Sequence, residues 1–272
     1  MIVCRSAAEI DKLARVNELV ARVLGELAAA VKPGVTTGDL DALAEKRLQE
    51  AGAAPAFKGY HGYPATICAS VNEQVVHGIP GTRALVEGDI ISIDMGAKLD
   101  GFFGDSAVTV PVGRVTPEAA KLLRVTKQAL DRALATVKPG SRVSDIGAAV
   151  QGLVEAEGFS VVREFVGHGI GTELHEEPQI PNYGAAGRGP RLAEGMVLAI
   201  EPMVNAGKAA VKVLSDGWTA VTKDGSLSAH FEHTIAITEA GCEILTWLEP
   251  DGSEAGDGVL ARRASSGAQA RA

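Results

Sequence analysis

The chain has 272 residues, which is enough for one large domain with a substantial core. Its formal net charge of −8 argues against a general nucleic-acid-binding protein, and we expect no specific nucleic-acid partner. The three widely spaced cysteines, Cys4, Cys68 and Cys242, exclude a disulfide framework and a zinc ribbon and favour a reducing compartment. No signal-peptide pattern and no apolar run of transmembrane length is found, so a cytoplasmic protein without membrane association is expected.

Four segments have the apolar spacing of amphipathic helices. They span residues 7–31, 37–51, 116–137 and 144–157. Ser6 followed by Glu9 predicts a capping box at the start of the first helix. Pro117 suits the first turn of the third helix.

The two helix pairs share an internal repeat. The sequence VKPG at residues 31–34 recurs at 137–140, an offset of 106 residues. Equivalent pairs are Asp39 and Asp145, Gly52 and Gly158, and, with one residue of slip, His61 and His168. Short matches at turns also arise by chance, but identical residues at equivalent helix junctions favour two-fold pseudosymmetry within one domain.

Between and after the helices, short apolar runs predict strands. They lie at residues 65–70, 89–97, 102–110, 160–166, 196–204, 231–238 and 242–247. Loops are predicted at 57–64, 72–80 and 166–178, the last of which has too many glycines for a good helix or strand. Residues 249–272 are rich in Gly, Ala, Ser and charge, which predicts a disordered tail after a domain that ends at residue 248.

Three predicted strands or strand ends carry a lone carboxylate among apolar neighbours. These residues are Asp94, Glu201 and Glu232. Burying a carboxylate is costly unless it is paired or bound to a cation. Any one of them could be an edge-facing or salt-bridged residue, but several together point to a shared metal site.

The register of the hairpin formed by strands 89–97 and 102–110 decides where Asp105 lies. A four-residue turn at 98–101 would place Asp94 directly across from Asp105 on one face, where a cation would be needed between them. A two-residue Asp-Gly turn would instead pair Asp94 with Ala107.

Two histidines, His168 and His175, lie in the glycine-rich loop 166–178 and complete the candidate set. Four carboxylates with one or two imidazoles form a hard, oxygen-rich donor set that suits Mn²⁺, Fe²⁺ or Co²⁺, with Zn²⁺ as an alternative. The surplus of carboxylates suggests two ions, which together activate water and polarise a carbonyl or phosphoryl oxygen. The chain has no HExxH, GxSxG or P-loop motif.

Over residues 7–248 the chain closely resembles the type I methionine aminopeptidases. The shared motifs, in family order, are GYHGYP (59–64), VNEQVVHGIP (71–80), SIDMGAKLDGFFGD (92–105), GHGIGTELHEEP (167–178), AIEPMV (199–204) and HFEHT (230–234). The resemblance implies the α+β pita-bread fold, a curved and mainly antiparallel sheet flanked by two helix pairs with internal pseudo-two-fold symmetry. It makes residues 1–248 a catalytic domain.

The resemblance also implies a set of metal ligands and a reaction. The ligands would be Asp94, Asp105, His168, Glu201 and Glu232, with Asp105 and Glu232 bridging two divalent ions, Co, Mn or Fe, with Zn or Ni as alternatives. A metal-bridging hydroxide would attack the first peptide carbonyl and release an initiator methionine that precedes a small residue.

Catalytic and substrate-binding roles follow from the same motifs. His77 and His175 would contact the substrate, and Glu201 would shuttle a proton in addition to binding metal. The methionine pocket would be lined by Tyr60, Tyr63, Cys68, Phe165 and Trp218. The alternative for each is an ordinary core residue, most of all for Cys68 and Phe165.

Further partners are implied with less support from the residues. Asn72, Gln74 and Ser228 match positions that bind a monovalent cation in some relatives. N-terminal methionine peptides and nascent chains would be the substrates of a monomer, and transient ribosome association through patches such as Lys208 and Lys212 is expected.

Three rival interpretations remain at this point. A prolidase or aminopeptidase P would share the fold but usually carries an additional N-terminal domain. A non-catalytic module of the same fold would typically lack ligands, whereas all five positions are filled here. An unrelated structural protein with scattered buried acids would not present the motifs in order.

Overall fold

The computed structural model describes residues 1–247. The predicted disordered tail, residues 249–272, lies outside the described residues. The helices are α1 (Ala7–Ala30), α2 (Thr37–Glu50), α3 (Pro117–Leu134) and α4 (Val143–Ala156). The strands are β1 (Ala54–Pro55), β2 (Ile67–Val71), β3 (Gln74–Val76), β4 (Ile90–Leu99), β5 (Phe102–Pro111), β6 (Ser160–Val161), β7 (Gly167–Gly169), β8 (Glu176–Ile180), β9 (Val197–Ile200), β10 (Met203–Asn205), β11 (Val211–Val213), β12 (Ala220–Thr222), β13 (Ser228–His230), β14 (Glu232–Thr238) and β15 (Gly241–Ile244).

A nine-stranded antiparallel sheet forms the centre of the fold. Its strand order is β1-β4-β5-β14-β9-β7-β8, with β2 also paired to β4 and β15 also paired to β14. Two three-stranded sheets, β13-β10-β6 and β11-β12-β3, complete the strand pairing of the described residues. None of the helices in residues 1–247 is both long and apolar enough to cross a membrane.

The four predicted helices are confirmed because their signals are local. Ser6 and Glu9 form the predicted capping box, in which the Ser6 amide donates to the Glu9 carboxylate at 2.8 Å. Each helix buries one apolar face, so that α1 and α2 pack in one core cluster with β2 and β4, and α3 and α4 pack in a second with β9 and β14.

The two helix pairs repeat one another in detail, as the internal repeat predicts. The amide of Gly34 donates to the carbonyl of Leu85, and the amide of Gly140 donates to the carbonyl of Leu192, both at 2.8 Å. Both glycines have a positive φ, near 90°, which favours glycine. Pseudo-two-fold symmetry therefore extends to the turns. The correspondence of residue 61 with 168 does not extend to structure, because residue 61 is exposed in a 3₁₀ turn whereas residue 168 is buried in β7.

The hairpin between β4 and β5 has the two-residue turn. Leu99 pairs with Phe102, and Asp100 and Gly101 both have positive φ, as a type I′ turn requires. Asp94 therefore pairs with Ala107, and the four-residue turn that would pair Asp94 with Asp105 is wrong.

Residues 166–178, predicted to be a loop, contain two strand segments, β7 and the start of β8. The prediction that this segment has too many glycines to form a strand is therefore wrong. Its glycines are required by close backbone approach. A Cβ atom on Gly167 would lie 2.4 Å from the carbonyl oxygen of Ala199, and one on Gly169 would lie 2.3 Å from that of Glu177. Glycine here lets neighbouring backbone come close enough to pack.

Three other strand predictions need correction. The single strand 196–204 is divided into β9 and β10 at Pro202, which has no amide proton to donate to a ladder. The strand predicted at 160–166 is confined to Ser160–Val161. The loop predicted at 72–80 contains β3.

Helix α4 provides a test of this packing. A Cβ atom on Gly147 would lie 2.3 Å from the carbonyl oxygen of Pro181, whereas one on Gly152 has open space within 4 Å. We expect Gly147→Ala to destabilise the fold by about 1–3 kcal/mol. The matched control Gly152→Ala should stabilise it by about 1 kcal/mol, because alanine is the better helix former. Urea unfolding midpoints measure both, and a stabilised Gly147→Ala protein would contradict the predicted clash.

Candidate metal centre and substrate pocket

One row of side chains crosses the central sheet. Cys68 pairs with Asp94, Asp94 with Ala107, and Ala107 with Glu232. Directly paired residues of antiparallel strands point to the same face. His233 pairs with Ile200 and the two strands are antiparallel. Glu232, one residue before His233, therefore lies opposite Glu201, one residue after Ile200. The apolar strands thus place three of the predicted carboxylates in one line.

Asp105 and His168 lie on the same face, one step away from this row. Asp105 pairs with Gly96, which is two residues from Asp94. His168 pairs with Ala199, which is two residues from Glu201. Since side chains alternate along a strand, a separation of two residues preserves the face. All five predicted ligands therefore share one face.

Three of the five are close enough to bind one ion. Ligand atoms of Asp105, His168 and Glu232 all lie within 4.8 Å of one another. Glu201 adjoins this group, with its Oε1 3.5 Å from His168 Nε2. Asp94 adjoins it as well, since its carboxylate is close enough to Asp105 to raise the pKa of Asp105 by charge repulsion.

The donor atoms fit a bound cation. Asp94 Oδ1, Asp105 Oδ1 and Glu232 Oε1 are buried and have no hydrogen-bond partner among the described residues. Orphaned buried carboxylate oxygens are costly unless something satisfies them. A hard divalent cation is the partner that such oxygens prefer.

The carboxylates oppose one another electrostatically. Burial raises the pKa of Asp94 to about 7. Burial also raises the pKa of Asp105, Glu201 and Glu232 well above the usual range, and neighbouring carboxylates raise it further. A divalent cation would reverse this by favouring the charged forms.

His168 is prepared to be a ligand. Burial, and then neighbouring His175, lower the pKa of His168 to about 3, so its imidazole is neutral. Its Nδ1 lies 2.9 Å from the carbonyl oxygen of Gly169, which can only accept, so Nδ1 carries the proton. Nε2 therefore has a free lone pair facing the carboxylates.

His175 lies beside this group on the solvent side. Its ring centroid is 4.3 Å from that of His168. Its Nδ1 lies 2.8 Å from the hydroxyl of Tyr60, which is held in a 3₁₀ turn, Tyr60–Gly62. The structure thus brings the two histidines of the glycine-rich segment together but gives them different surroundings, His168 buried and His175 exposed.

A second aromatic group surrounds His77. The His77 ring centroid lies 5.3 Å from that of Phe165 and 6.3 Å from that of Trp218. Trp218 in turn contacts Tyr63, at 5.1 Å between centroids. His77 has a φ of 60°, an unusual conformation for a non-glycine residue and one that clusters at functional sites.

Tyr63 and Cys68 form the buried floor of this group. Tyr63 is 3% exposed, and its hydroxyl lies 3.0 Å from the carbonyl oxygens of both Ile67 and Gly78. Cys68 is buried and shares a sheet face with Asp94. The predicted pocket residues thus fall into two groups, Tyr60 with His175 beside His168, and Tyr63, Phe165 and Trp218 around His77, while Cys68 lies on the sheet face of Asp94.

Residues 11–239 match the model of the metallopeptidase family M24. The chain belongs to this family.

Relatives within the M24 family are similar over nearly their whole length. Methionine aminopeptidase 1 of Bacillus subtilis is 56% identical over 246 residues, which cover 90% of this chain and 99% of that protein. The methionine aminopeptidase of Clostridium acetobutylicum is 52% identical over 92% of this chain and 100% of its own. The predicted resemblance is therefore confirmed, and so is the prediction of a metallopeptidase.

Solved structures of M24 proteins confirm the predicted pita-bread fold. The methionine aminopeptidase from Thermotoga maritima has a TM-score of 0.89 at 49% identity, covering 90% of this chain and 99% of that one. A prolidase from Pyrococcus horikoshii has a TM-score of 0.75 at 22% identity, covering 92% of this chain and 65% of that one. The second match shows the fold alone.

Two further residues lie near this M24 site, and no role for them follows from the sequence. His230 is buried, and its Nε2 lies 3.9 Å from Glu201 Oε2 without a hydrogen-bond partner among the described residues. It falls in the HFEHT motif, which was the available signal. Arg5 forms an ion pair with Glu176, next to His175, and no motif contains it.

Metal binding to this site should strengthen as pH rises. The pKa of Asp94, raised to about 7, means that the metal-free protein holds a proton there which a metal must displace. Between pH 6.5 and 8 this cost should fall by about 1 kcal/mol for Asp94 alone, since a group with a raised folded pKa loses its stabilising proton as pH passes that value. The increase in Tm on adding Mn²⁺ should therefore be larger at pH 8 than at pH 6.5, by about 2–4 °C or more.

Thermal unfolding of loaded and chelator-treated protein at both pH values measures this difference. The variant Asp105→Asn, which removes a central ligand atom, should gain little from Mn²⁺ at either pH. A larger metal-induced increase at pH 6.5 would contradict the assignment.

Proposed function

We propose that this M24 protein is a methionine aminopeptidase that removes the initiator methionine from peptides and nascent proteins when the second residue is small. The observation that carries the proposal is the set of five potential metal ligands on one sheet face, which also carries Cys68, paired with Asp94, next to the aromatic group of Tyr63, Trp218 and His77. Such a site can hold a side chain next to metal-activated water. The near full-length similarity to methionine aminopeptidases supports the same substrate.

Two divalent ions would be held by the five predicted ligands. These are Asp94, Asp105, His168, Glu201 and Glu232, which would offer carboxylate oxygens and one neutral imidazole nitrogen to the ions. When bound, two ions supply Lewis-acid activation of a water and of the peptide carbonyl. Co²⁺, Mn²⁺ and Fe²⁺ suit this donor set, with Zn²⁺ and Ni²⁺ as alternatives.

His175 orients the substrate carbonyl. Desolvation raises the pKa of the Tyr60 phenol, so the hydroxyl keeps its proton and can donate a hydrogen bond to His175 Nδ1. Although part of His175 is exposed to solvent, desolvation by its neighbours and the nearby His61 lower its pKa, which favours the neutral imidazole. Its remaining proton is then on Nε2, from which it can donate a hydrogen bond to a carbonyl oxygen that gains negative charge.

His77 and Glu201 complete the proposed catalytic group. Burial lowers the pKa of His77 to about 4, so it is a neutral hydrogen-bonding group at the edge of the pocket. Glu201 lies between His168 and His230, at 3.5 and 3.9 Å, where its carboxylate can accept a proton and return it to the leaving amine.

The methionine side chain occupies the pocket lined by Tyr60, Tyr63, Cys68, Phe165 and Trp218. Thioether sulfur makes favourable contacts with aromatic ring edges, and the rings of Phe165, Trp218 and Tyr63 stand nearly perpendicular to their neighbours. A methionine side chain between these rings would therefore contact both ring edges and ring faces.

A monovalent cation is proposed at Asn72, Gln74 and Ser228. The side-chain oxygen of Asn72 accepts from the Ile90 amide, and that of Gln74 accepts from the Val71 amide. The Ser228 hydroxyl donates to Asn205. Since these side chains are already engaged, the ligands would be backbone carbonyls.

We further propose a cytoplasmic monomer. Lys208 and Lys212 are exposed beside β11, where they could contact a ribosome transiently.

A peptide assay tests the proposed activity. Metal-loaded protein should release methionine from Met-Gly and Met-Ala peptides under reducing conditions, and should leave Met-Lys and X-Pro peptides intact. The proposed pocket accounts for the preference for methionine, and the proposed requirement for a small second residue accounts for the exclusion of Met-Lys. Efficient X-Pro cleavage without a methionine preference would instead favour a prolidase-like function.

The two histidines should respond differently to mutation. His168→Ala should reduce both metal content and activity, because it removes a ligand. His175→Ala should retain metal but reduce kcat by about 10²–10³-fold, the usual effect of losing one donor to a developing oxyanion. Metal analysis and steady-state kinetics measure both effects, and loss of metal from His175→Ala would refute its assignment.

A further inference from the structure

The segment before α1 supplies a buried cation to the loop that carries His175. The Arg5 side chain is 6% exposed and that of Glu176 is 12% exposed. Arg5 Nη2 donates to both carboxylate oxygens of Glu176, at 2.5 Å for Oε2. The Arg5 amide also donates to the carbonyl of Gly195 at 2.7 Å, which fixes the arginine backbone against the chain just before β9.

The Glu176 carboxylate closes the loop between β7 and β8. Its Oε1 accepts from the amides of Thr172 and Glu173, at 2.8 and 3.1 Å, and from the Thr172 hydroxyl at 3.3 Å. His175 is the residue immediately before Glu176, so this closure sets the direction in which the His175 side chain leaves the backbone. Only Arg5 pairs with Glu176 as a cationic side chain in the described part of the chain.

The guanidinium lies directly against the loop backbone. A Cβ atom on Gly171 would lie 2.2 Å from Arg5 Nη2, so a larger residue at this position would have to displace the guanidinium. On its other side the loop is held by the Phe103 amide, which donates to the carbonyl of Gly171 at 2.8 Å. The loop is therefore clamped between β5 and Arg5.

We infer that Arg5 is a positioning residue for His175, acting through Glu176. Removing Arg5 would leave a mostly buried carboxylate without its cation, and such a group turns towards water. The amides of Thr172 and Glu173 would then lose their acceptor, and His175 would leave the place where its Nε2 faces the substrate. This inference rests on the proposed function of His175, but the clamp itself can be tested separately.

Kinetics of metal-loaded variants on a Met-Ala peptide test the catalytic part. Arg5→Ala should reduce kcat by about 10- to 100-fold with little change in KM, because a small displacement of a catalytic group has effects of this size. Metal content should be unchanged, and Arg5→Lys should restore part of the activity. The matched control Arg15→Ala, which removes an exposed ion pair with Asp100, should have wild-type activity.

A double-mutant cycle separates positioning from general stabilisation. In a His175→Ala background, Arg5→Ala should reduce kcat no further. An equal additional reduction in that background, or a kcat within two-fold of wild type for Arg5→Ala alone, would overturn the inference. If Arg5→Ala does not fold, Glu176→Ala, which removes the acceptor of both amides, replaces it with the same expected results.

Hydrogen–deuterium exchange tests the clamp without relying on activity. The amides of Thr172 and Glu173 should exchange at least 10-fold faster in Arg5→Ala than in wild type, and Arg15→Ala should not change them. Unchanged exchange would refute the clamp. Wild-type protein that cleaves no methionine peptide would refute the proposed function instead, while the exchange result would still decide whether Arg5 holds the loop.

Discussion

The structure depends on keeping four mutually repelling carboxylates on one sheet face. Burial raises the pKa of all four, and neighbouring carboxylates raise the pKa of Asp105, Glu201 and Glu232 further, so the group is stable only when protons or cations neutralise it. The strands that carry the carboxylates therefore have to be held together by contacts other than those of the carboxylates themselves. Strands β5 and β14 pair over only two residues here. Side-chain hydroxyls extend this short ladder, because Ser106 donates to the carbonyl of Glu232 at 2.8 Å and Thr234 donates to that of Asp105 at 2.7 Å.

The pseudosymmetric scaffold holds a site that is itself asymmetric. Two equivalent helix pairs cover the sheet, and each buries its own apolar cluster. The candidate ligands are divided between the halves, with Asp94 and Asp105 from the first and His168, Glu201 and Glu232 from the second. Neither half contains a complete donor set, so the β5–β14 junction is where the proposed site is assembled. The break after Glu201 serves the same purpose, since Pro202 ends the strand and allows the chain to enter a second sheet.

The sequence predicts the helices, the repeat and the common face of the candidate ligands, but not the contacts that depend on distant chain segments. The sequence left two hairpin registers open, two residues apart, and the structure has the one with the Asp-Gly turn. Both registers place Asp94 and Asp105 on one face, because side chains alternate with a period of two. The segment with His168 and His175 resembles a loop because glycine lowers strand propensity, and only the nearby backbone of Ala199 shows why glycine is needed. Arg5 lies 171 residues from Glu176 and leaves no local pattern.

The candidate ligands and the two other histidines of the site are held in place by different kinds of contact. The candidate ligands are on strands or at a strand end, where backbone ladders determine their positions. His77 and His175 are instead held by side chains, through Tyr63 at Gly78 and through Tyr60 and Glu176. Changes in those supporting side chains would move the two imidazoles, which are proposed to contact the substrate, while the strands that carry the candidate ligands stay paired. Metal affinity and turnover can therefore vary independently in this fold, since different kinds of contact fix the two parts of the site.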